Sequence, residues 1–475
     1  MDAELQASAQ EILSSLPLSL EMPAGTGKTH IVGALAALVD EANSRALVLT
    51  HTHAGVDAIR SRLRMFGISA RNVHIDTITG WAFDLVRSYP DIAGLSVPDD
   101  PIWADSAAYV AGATRVARSR AIKEVHAASF DFFFVDEYQD CNEVQHGLIL
   151  AIAEAIPNTC VLGDRLQGIF DFRGQVLVDW DADVFPNFPL HPQEHVPRRW
   201  QGHNEELGQW LLDIRPALRR HDPIDLSATA IAGLNWSVPN PARLLASAFA
   251  THPEGESVLV LGQWTQDTNE LASKLKGMYG VMEDVQGNFM VGFLTDLDAA
   301  APTAYAALLA RFSKTCFSGL AGLDRALLAK LDSGRNIGQL TRAGLQEIQD
   351  ALDEVLASPS LELVTRAMST ISRASIARLY KREAWFDVQK AVESASNSGR
   401  STVSELARIR DALRHSGRRP SKRVVSRTVL VKGLEYDHVI IADASHFTSS
   451  ENLYVALSRA RKTLTVFSPN STSIY

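Results

Sequence analysis

Cysteine is scarce in this 475-residue chain: Cys141, Cys160 and Cys316 stand far apart and form no CxxC pair. That spacing argues against a disulfide framework or a cysteine-held zinc, and it fits a reducing, cytoplasmic setting. Basic charge is also in deficit. Lys and Arg number 46 against 55 Asp and Glu, a formal net charge of -9, so the surface is not coated in positive charge. A local basic channel stays open, because binding follows the distribution of charge and not its sum. Long apolar runs are missing, and without a stretch of ~20 such residues no membrane span is expected. The opening MDAELQASAQEIL carries acids where a signal peptide has a basic start and an apolar run, so none is expected. The 14 histidines form no HExxH pair, which removes one familiar metalloenzyme pattern.

What is present is rhythm. Short apolar runs alternate with helical stretches: Ala46–Leu49, Val73–Ile75, Phe132–Val135 and Cys160–Leu162, then Val258–Leu261, Val429–Val431, Val439–Ala442 and Leu464–Phe467. Each is rich in branched or aromatic residues and ends in polar or Gly-containing turns, the pattern of buried parallel strands in an α/β sheet. Two such sheet domains are expected, over residues 1–195 and 196–475. Helical insertions are expected at about 90–128 and about 290–415, where Leu323, Leu327, Leu328 and Leu331 recur at helical spacing. The basic, Gly/Pro-broken stretch Ser416–Arg427 reads as a loop returning to the sheet.

Chemistry concentrates at strand ends. Pro23-Ala24-Gly25-Thr26-Gly27-Lys28-Thr29 lies between an apolar segment and a helix that begins near His30. Glycines let backbone amides wrap a phosphate at a helix N-terminus, Lys28 would reach the β- and γ-phosphates, and Thr29 would hold Mg²⁺. Met22 stands where the strict GxxxxGK[ST] pattern has its first glycine. The expected nucleotide-binding run is Ala24, Gly25, Thr26, Gly27, Lys28, Thr29 and His30. Downstream, the apolar run Phe133-Phe134-Val135 ends in Asp136 and Glu137. Paired acids at that place suit a P-loop ATPase: Asp136 for Mg²⁺, Glu137 to orient and deprotonate water.

Taken in order, these blocks resemble the UvrD/Rep/PcrA group of superfamily 1 helicases. Leu49–Ala54 with Ile59–Arg62 looks like motif Ia, and Thr77-Ile78-Thr79-Gly80 like the TxHG element. Val135–Gln145 is close to motif II, and Gly163–Gly174 is similar to the long motif III, GDxxQSIYxWRG. Pro197–Trp200 sits where motif IV is expected, Val431–Tyr436 resembles motif V and Leu453–Ala460 resembles motif VI. The set spans most of the chain and leaves the insertions uncovered.

The resemblance implies two RecA-like P-loop lobes with parallel sheets, ATP and Mg²⁺ as cofactors, and single-stranded DNA as partner, with 3′-to-5′ movement. RNA is an open alternative, since nothing identifiable reads the 2′-OH. It implies that Gln167 links the γ-phosphate region to the nucleic-acid groove. Arg199 and Arg459 are implied as arginine fingers, with Arg198 an alternative to Arg199. Glu435 is implied at the nucleotide sugar, and Gln10 or Gln6 at the adenine. Strand contacts are implied at His51, Thr52, Thr77, Phe172 and Arg173, with Arg60, Arg62, Arg115, Arg118, Arg120 and the Arg418–Arg427 cluster as further basic candidates. Departures are visible: Val429-Leu430 replaces the His-Ser before motif V, and Arg198 takes the place of the adenine-stacking tyrosine. A second implied role keeps the fold but makes the chain a DNA-stimulated sensor or assembly subunit beside a nuclease, as in Gabija-type phage defence, whose helicase-like B subunit has a similar size and motif order. A nucleotide-binding relic without hydrolysis is the third reading, and it is disfavoured by the full set of polar residues.

Overall fold

The computed structural model describes residues 1–68, 71–98, 101–102, 105–169, 176–227, 231–282, 288–340, 343–416 and 422–473. Its first sheet uses β1 (Leu18–Glu21), β2 (Ala46–Thr50), β3 (Val73–Thr77), β4 (Phe132–Val135) and β5 (Thr159–Gly163) in the order β1-β5-β4-β2-β3. Every pairing is parallel. Such a sheet needs apolar residues on both faces, because helices cover both. Alternation supplies them: Leu47, Leu49, Phe133 and Val135 pack on one side, and Val48, Phe134, Cys160 and Leu162 on the other.

The second sheet contains β6 (Leu234–Ser237), β7 (Val258–Leu261) and β8 (Gly280–Val281), and the chain then leaves it. A short antiparallel pair, β9 (Phe317–Ser318) and β10 (Arg378–Leu379), lies within the excursion. The sheet is completed by β11 (Arg423–Ser426), β12 (Tyr436–Ile441) and β13 (Ala460–Phe467), in the order β6-β13-β12-β7-β11-β8, again parallel. Between β8 and β11 run helices from Asn288–Ala299 to Thr402–Ser416. They enclose their own core around Leu309, Phe312, Ile348, Met368 and Trp385. A smaller helical excursion, Pro90–Ala93, Ser106–Arg118 and Arg120–Ser129, precedes β4.

One strand expectation is corrected. Val429–Val431 is not a strand: Thr428–Leu430 forms a single 3₁₀ turn, and the strand lies earlier, at Arg423–Ser426 inside the stretch read as a loop. Val424 and Val425 fill opposite faces of a sheet interior there, while the Val431 N–H closes the turn on Thr428 O at 3.2 Å. Among the described residues no helix is long and apolar enough to cross a membrane.

Candidate active site

The ends of β1, β4 and β5 deliver the polar residues to one edge of the first sheet, as parallel sheets do at their carboxyl ends. After β1 the chain turns through Gly25 (φ 74°) and Gly27 (φ 102°) into the helix Lys28–Glu41. Side chains rarely adopt that backbone, and space forbids one at Gly25: a Cβ there would lie 2.6 Å from the Trp200 ring and 2.8 Å from Arg199 Cβ. The Thr26 hydroxyl donates to Pro23 O at 2.8 Å and tightens the loop. Ala24 N–H donates to Asp164 Oδ2 at 3.0 Å, fixing the loop to the end of β5.

β4 places Asp136, 2% exposed, beside Glu137, whose φ is 58°. Lys28 Nζ lies 2.9 Å from Glu137 Oε2. Gln139 donates to Glu137 through its amide nitrogen and accepts from Asp164 N–H at 3.0 Å through its oxygen. Burial pushes the Asp136 carboxyl up to about 6 against the pull of Lys28. Burial also pushes Glu137 upward, but Lys28 and Lys432 outweigh it and hold that group at about 2. Lys28 itself is raised, because Glu137 and Asp136 overcome the cost of its burial. A buried carboxylate whose ionisation is resisted is relieved by a bound cation, so Asp136, with Thr29 in the first turn of the following helix, fits an Mg²⁺ ion.

Asp164 is fully buried and acts as a hub. It accepts from Gln167 Nε2 at 2.8 Å and from Arg215 at 2.7 and 3.0 Å, and Arg215 also reaches Glu21 at 3.3 Å. The second sheet's loops close over this hub. Arg459, fully buried, donates to Val455 O at 2.9 Å, Leu434 O at 3.0 Å, Ser458 Oγ at 2.8 Å and Gln167 Oε1 at 3.4 Å. Its burial, with Arg199 nearby, lowers its pKa. Lys432 Nζ lies 2.6 Å from both Asp140 carboxylate oxygens and 2.5 Å from Gln167 O. Arg199 N–H donates to Gly25 O at 3.0 Å, while its guanidinium pairs with Glu435 at 2.9 Å and Ser458 O at 2.6 Å.

Lys28, Asp136, Glu137, Gln167, Arg199 and Arg459 therefore converge, with Thr29 beside Lys28 and Glu435 paired to Arg199. Of the two candidate glutamines on the helix Ala3–Ser14, Gln6 is half-buried and Gln10 exposed. A hollow of about 320 Å³ between the helix Ala3–Ser14 and the phosphate-type loop is lined by Glu4, Ser8, Glu11, Thr26, His30 and Arg198, among others, and by neither Gln6 nor Gln10. Leu5, Ala9 and Ile12 anchor that helix, which turns Gln10 outward to solvent.

The strand-contact residues are less gathered. Thr52 accepts from Gly55 N–H at 3.1 Å and Thr77 from Gly80 N–H at 3.0 Å, each capping a helix; Thr77 is only 5% exposed. His51 Nε2 is 3.3 Å from Cys141 Sγ, and burial lowers its pKa to about 4, so the ring is neutral. Arg60, Arg115 and Arg120 are engaged with Ile75 O, Ala93 O and Glu124. Phe172, Arg173 and residues 418–421 lie outside the described residues. Arg215 carries no motif signal and was not anticipated; Lys432 stood inside the VKGLEY match without a role, and Asp164 inside GDRLQ.

A Gly-Lys-Thr loop and an acid pair, buried Asp136 and partly exposed Glu137, on one parallel sheet, faced by arginines from a second, define a two-lobed RecA-like P-loop fold. The family described as UvrD/REP helicase N-terminal domain matches residues 105–178, and the viral superfamily 1 RNA helicase core domain matches residues 382–468. Over these segments the chain is similar to the UvrD-like group of superfamily 1 helicases. It is 42% identical to the ATP-dependent DNA helicase PcrA of Bacillus subtilis (strain 168) over 53 residues, 11% of this chain and 7% of that one. PcrA of Staphylococcus aureus (strain Mu50) is 40% identical over 53 residues, with the same shares. The match thus spans only 7% of the length of these relatives. The crystal structure of Pif1 helicase from Candida albicans aligns at a TM-score of 0.43 and 13% identity, covering 99% of this chain and 95% of that one.

Proposed function

We propose that the chain is an ATP-driven motor on single-stranded DNA, moving 3′ to 5′, which hydrolyses Mg²⁺-ATP between lobes 1–195 and 196–475. The observation that carries this reading is the contact of Arg459 with Gln167 across the cleft, one residue from each sheet's edge loops. Lys28 binds the outer phosphates once released from Glu137. Glu137, ionised and fixed by Gln139, accepts a hydrogen bond from the attacking water. Thr29 and Asp136 would hold Mg²⁺, which supplies charge neutralisation on the phosphate oxygens. Arg199 and Arg459 bring positive charge from the second lobe, so hydrolysis requires a closed cleft and is thereby coupled to movement. Phe172 and Arg173, with His51, Thr52 and Thr77, are the proposed strand contacts, by stacking and backbone hydrogen bonds.

The test is steady-state ATP hydrolysis with and without single-stranded DNA. We expect stimulation by the strand, and a loss of about 100-fold or more in Lys28→Ala. Hydrolysis that ignores both DNA and the substitution sinks the motor. A second reading, a DNA-stimulated sensor or assembly subunit of a nuclease complex in phage defence, is favoured by the internal engagement of Thr52, Thr77, Arg60 and Arg115. DNA-stimulated hydrolysis with no displacement of an annealed strand selects it.

A further inference from the structure

The register of the second sheet sets His438 of β12 opposite Val258 of β7 and Thr463 of β13. The turn that enters β7 brings His252 and Glu256 to the same point. The rings of His252 and His438 stack with centroids 3.6 Å apart and planes 21° from parallel. His438 Nε2 is 2.7 Å from Glu256 Oε2, and its Nδ1 is 2.7 Å from Thr463 Oγ1. One donor atom from each of His252, Glu256 and His438 lies within 4.8 Å of the other two. His438 is 6% exposed, while His252 and Glu256 are half-buried beneath the exposed turn Pro253–Gly255, which leaves a route from solvent. The nucleotide cleft uses none of these three residues.

Two imidazoles and one carboxylate are the donor set of first-row divalent ions, zinc foremost, whereas calcium and magnesium take oxygens. His252 and His438 each bring a ring nitrogen, and Glu256 a carboxylate oxygen, to one point. The Thr463 hydroxyl on Nδ1 orients the His438 ring, as the outer partner of a metal-bound histidine does, and leaves Nε2 for the ion. Lys462 pairs with Glu256 Oε1 and lies 3.7 Å from Asp437, so it braces the carboxylate while Oε2 faces the imidazoles. Lys462, Arg461 and Arg423 are the nearby positive groups that the ion must tolerate, with Asp437 beside Lys462 and Arg461 in partial compensation.

We propose that His252, Glu256 and His438 form a binding site for one divalent transition ion of the zinc class, tying the turn before β7 to β12. Three protein donors leave a fourth, solvent-facing position for water.

The full-length chain, stripped with chelator, is titrated with Co²⁺ and followed by its visible d–d absorption, then challenged with Zn²⁺. The expected result is one equivalent of Co²⁺ with an intense tetrahedral band that Zn²⁺ bleaches. His252→Ala and Glu256→Gln lose the band with unchanged circular dichroism, and Thr463→Val binds about 10–100-fold more weakly. His438→Ala is the harsher variant; if it does not fold, the half-exposed His252→Ala decides. Absence of the band in the wild-type chain, or its persistence with equal stoichiometry in His252→Ala and Glu256→Gln, overturns the site.

Discussion

Arg215 lies over the ring of Tyr454, 5.0 Å from its centre, and joins Asp164 to Glu21 with little of its side chain exposed. Removing one partner of a buried charged cluster costs more than the pair is worth, because the others stay buried and unpaired. Arg215→Met keeps the volume and removes the charge, so it isolates that cost: about 3–5 kcal/mol less stability is expected in chemical denaturation. Unchanged stability would mean that solvent already compensates Asp164 and Glu21. The same residue shows what a sequence hides. Lys28, Asp136, Glu137 and Gln167 were legible because each sits in a contiguous run whose chemistry is local. Arg215 has its meaning only through Asp164, 51 positions earlier, and no local pattern announces it. The choice between Gln6 and Gln10 was not legible for the converse reason: a suitable side chain near the loop says nothing of the face it occupies, which Leu5, Ala9 and Ile12 decide.

The turn Arg198–Trp200 works as one element. Trp200 is fully buried against Gly25, donates from its indole to Ala460 O at 2.7 Å, and fills the core of the second lobe. Trp200→Ala should therefore cost about 3–5 kcal/mol in thermal or chemical unfolding. Gly25→Ala probes the same contact from the other side. Its Cβ meets the Trp200 ring at 2.6 Å in a left-handed backbone, so we expect weaker nucleotide binding, read by a fluorescent ATP analogue. Equal affinity would show that the turn yields without effect on the loop. Elements were legible where both faces are buried: β2, β4, β5, β7, β12 and the end of β13 stand out as apolar runs. β6 and β8 did not, since β6 buries only Leu234 fully and β8 has two residues. The runs around β11 misled because Val429–Val431 is as apolar as Val424–Val425, and only the partner strands distinguish them.

At the scale of the whole molecule, the lobes are latched by Lys432, whose ammonium spans the Asp140 carboxylate and the Gln167 carbonyl. Burial already pushes Asp140 up to about 6 although Lys432 pulls it down. In Lys432→Ala that pull is gone, so the pKa of Asp140 in the closed state rises further above its unfolded value. A raised carboxyl binds its proton more tightly when folded; its ionisation therefore costs stability above the folded pKa, and the cost fades as pH falls through it. Lys432→Ala should then be least stable relative to wild type at alkaline pH and recover toward it on acidification to about pH 5, in melting curves taken across that range. On the proposed motor reading, in which Arg459 meets Gln167 across the cleft, the variant should also hydrolyse ATP poorly while still binding it, and show a larger radius of gyration in solution scattering. A gap in stability that is independent of pH would mean that Asp140 reaches solvent once Lys432 is lost. Normal hydrolysis in a molecule of unchanged radius would show that the other links between the lobes, Arg215 to Asp164, Arg199 to Gly25 O and Arg459 to Gln167, hold them without Lys432.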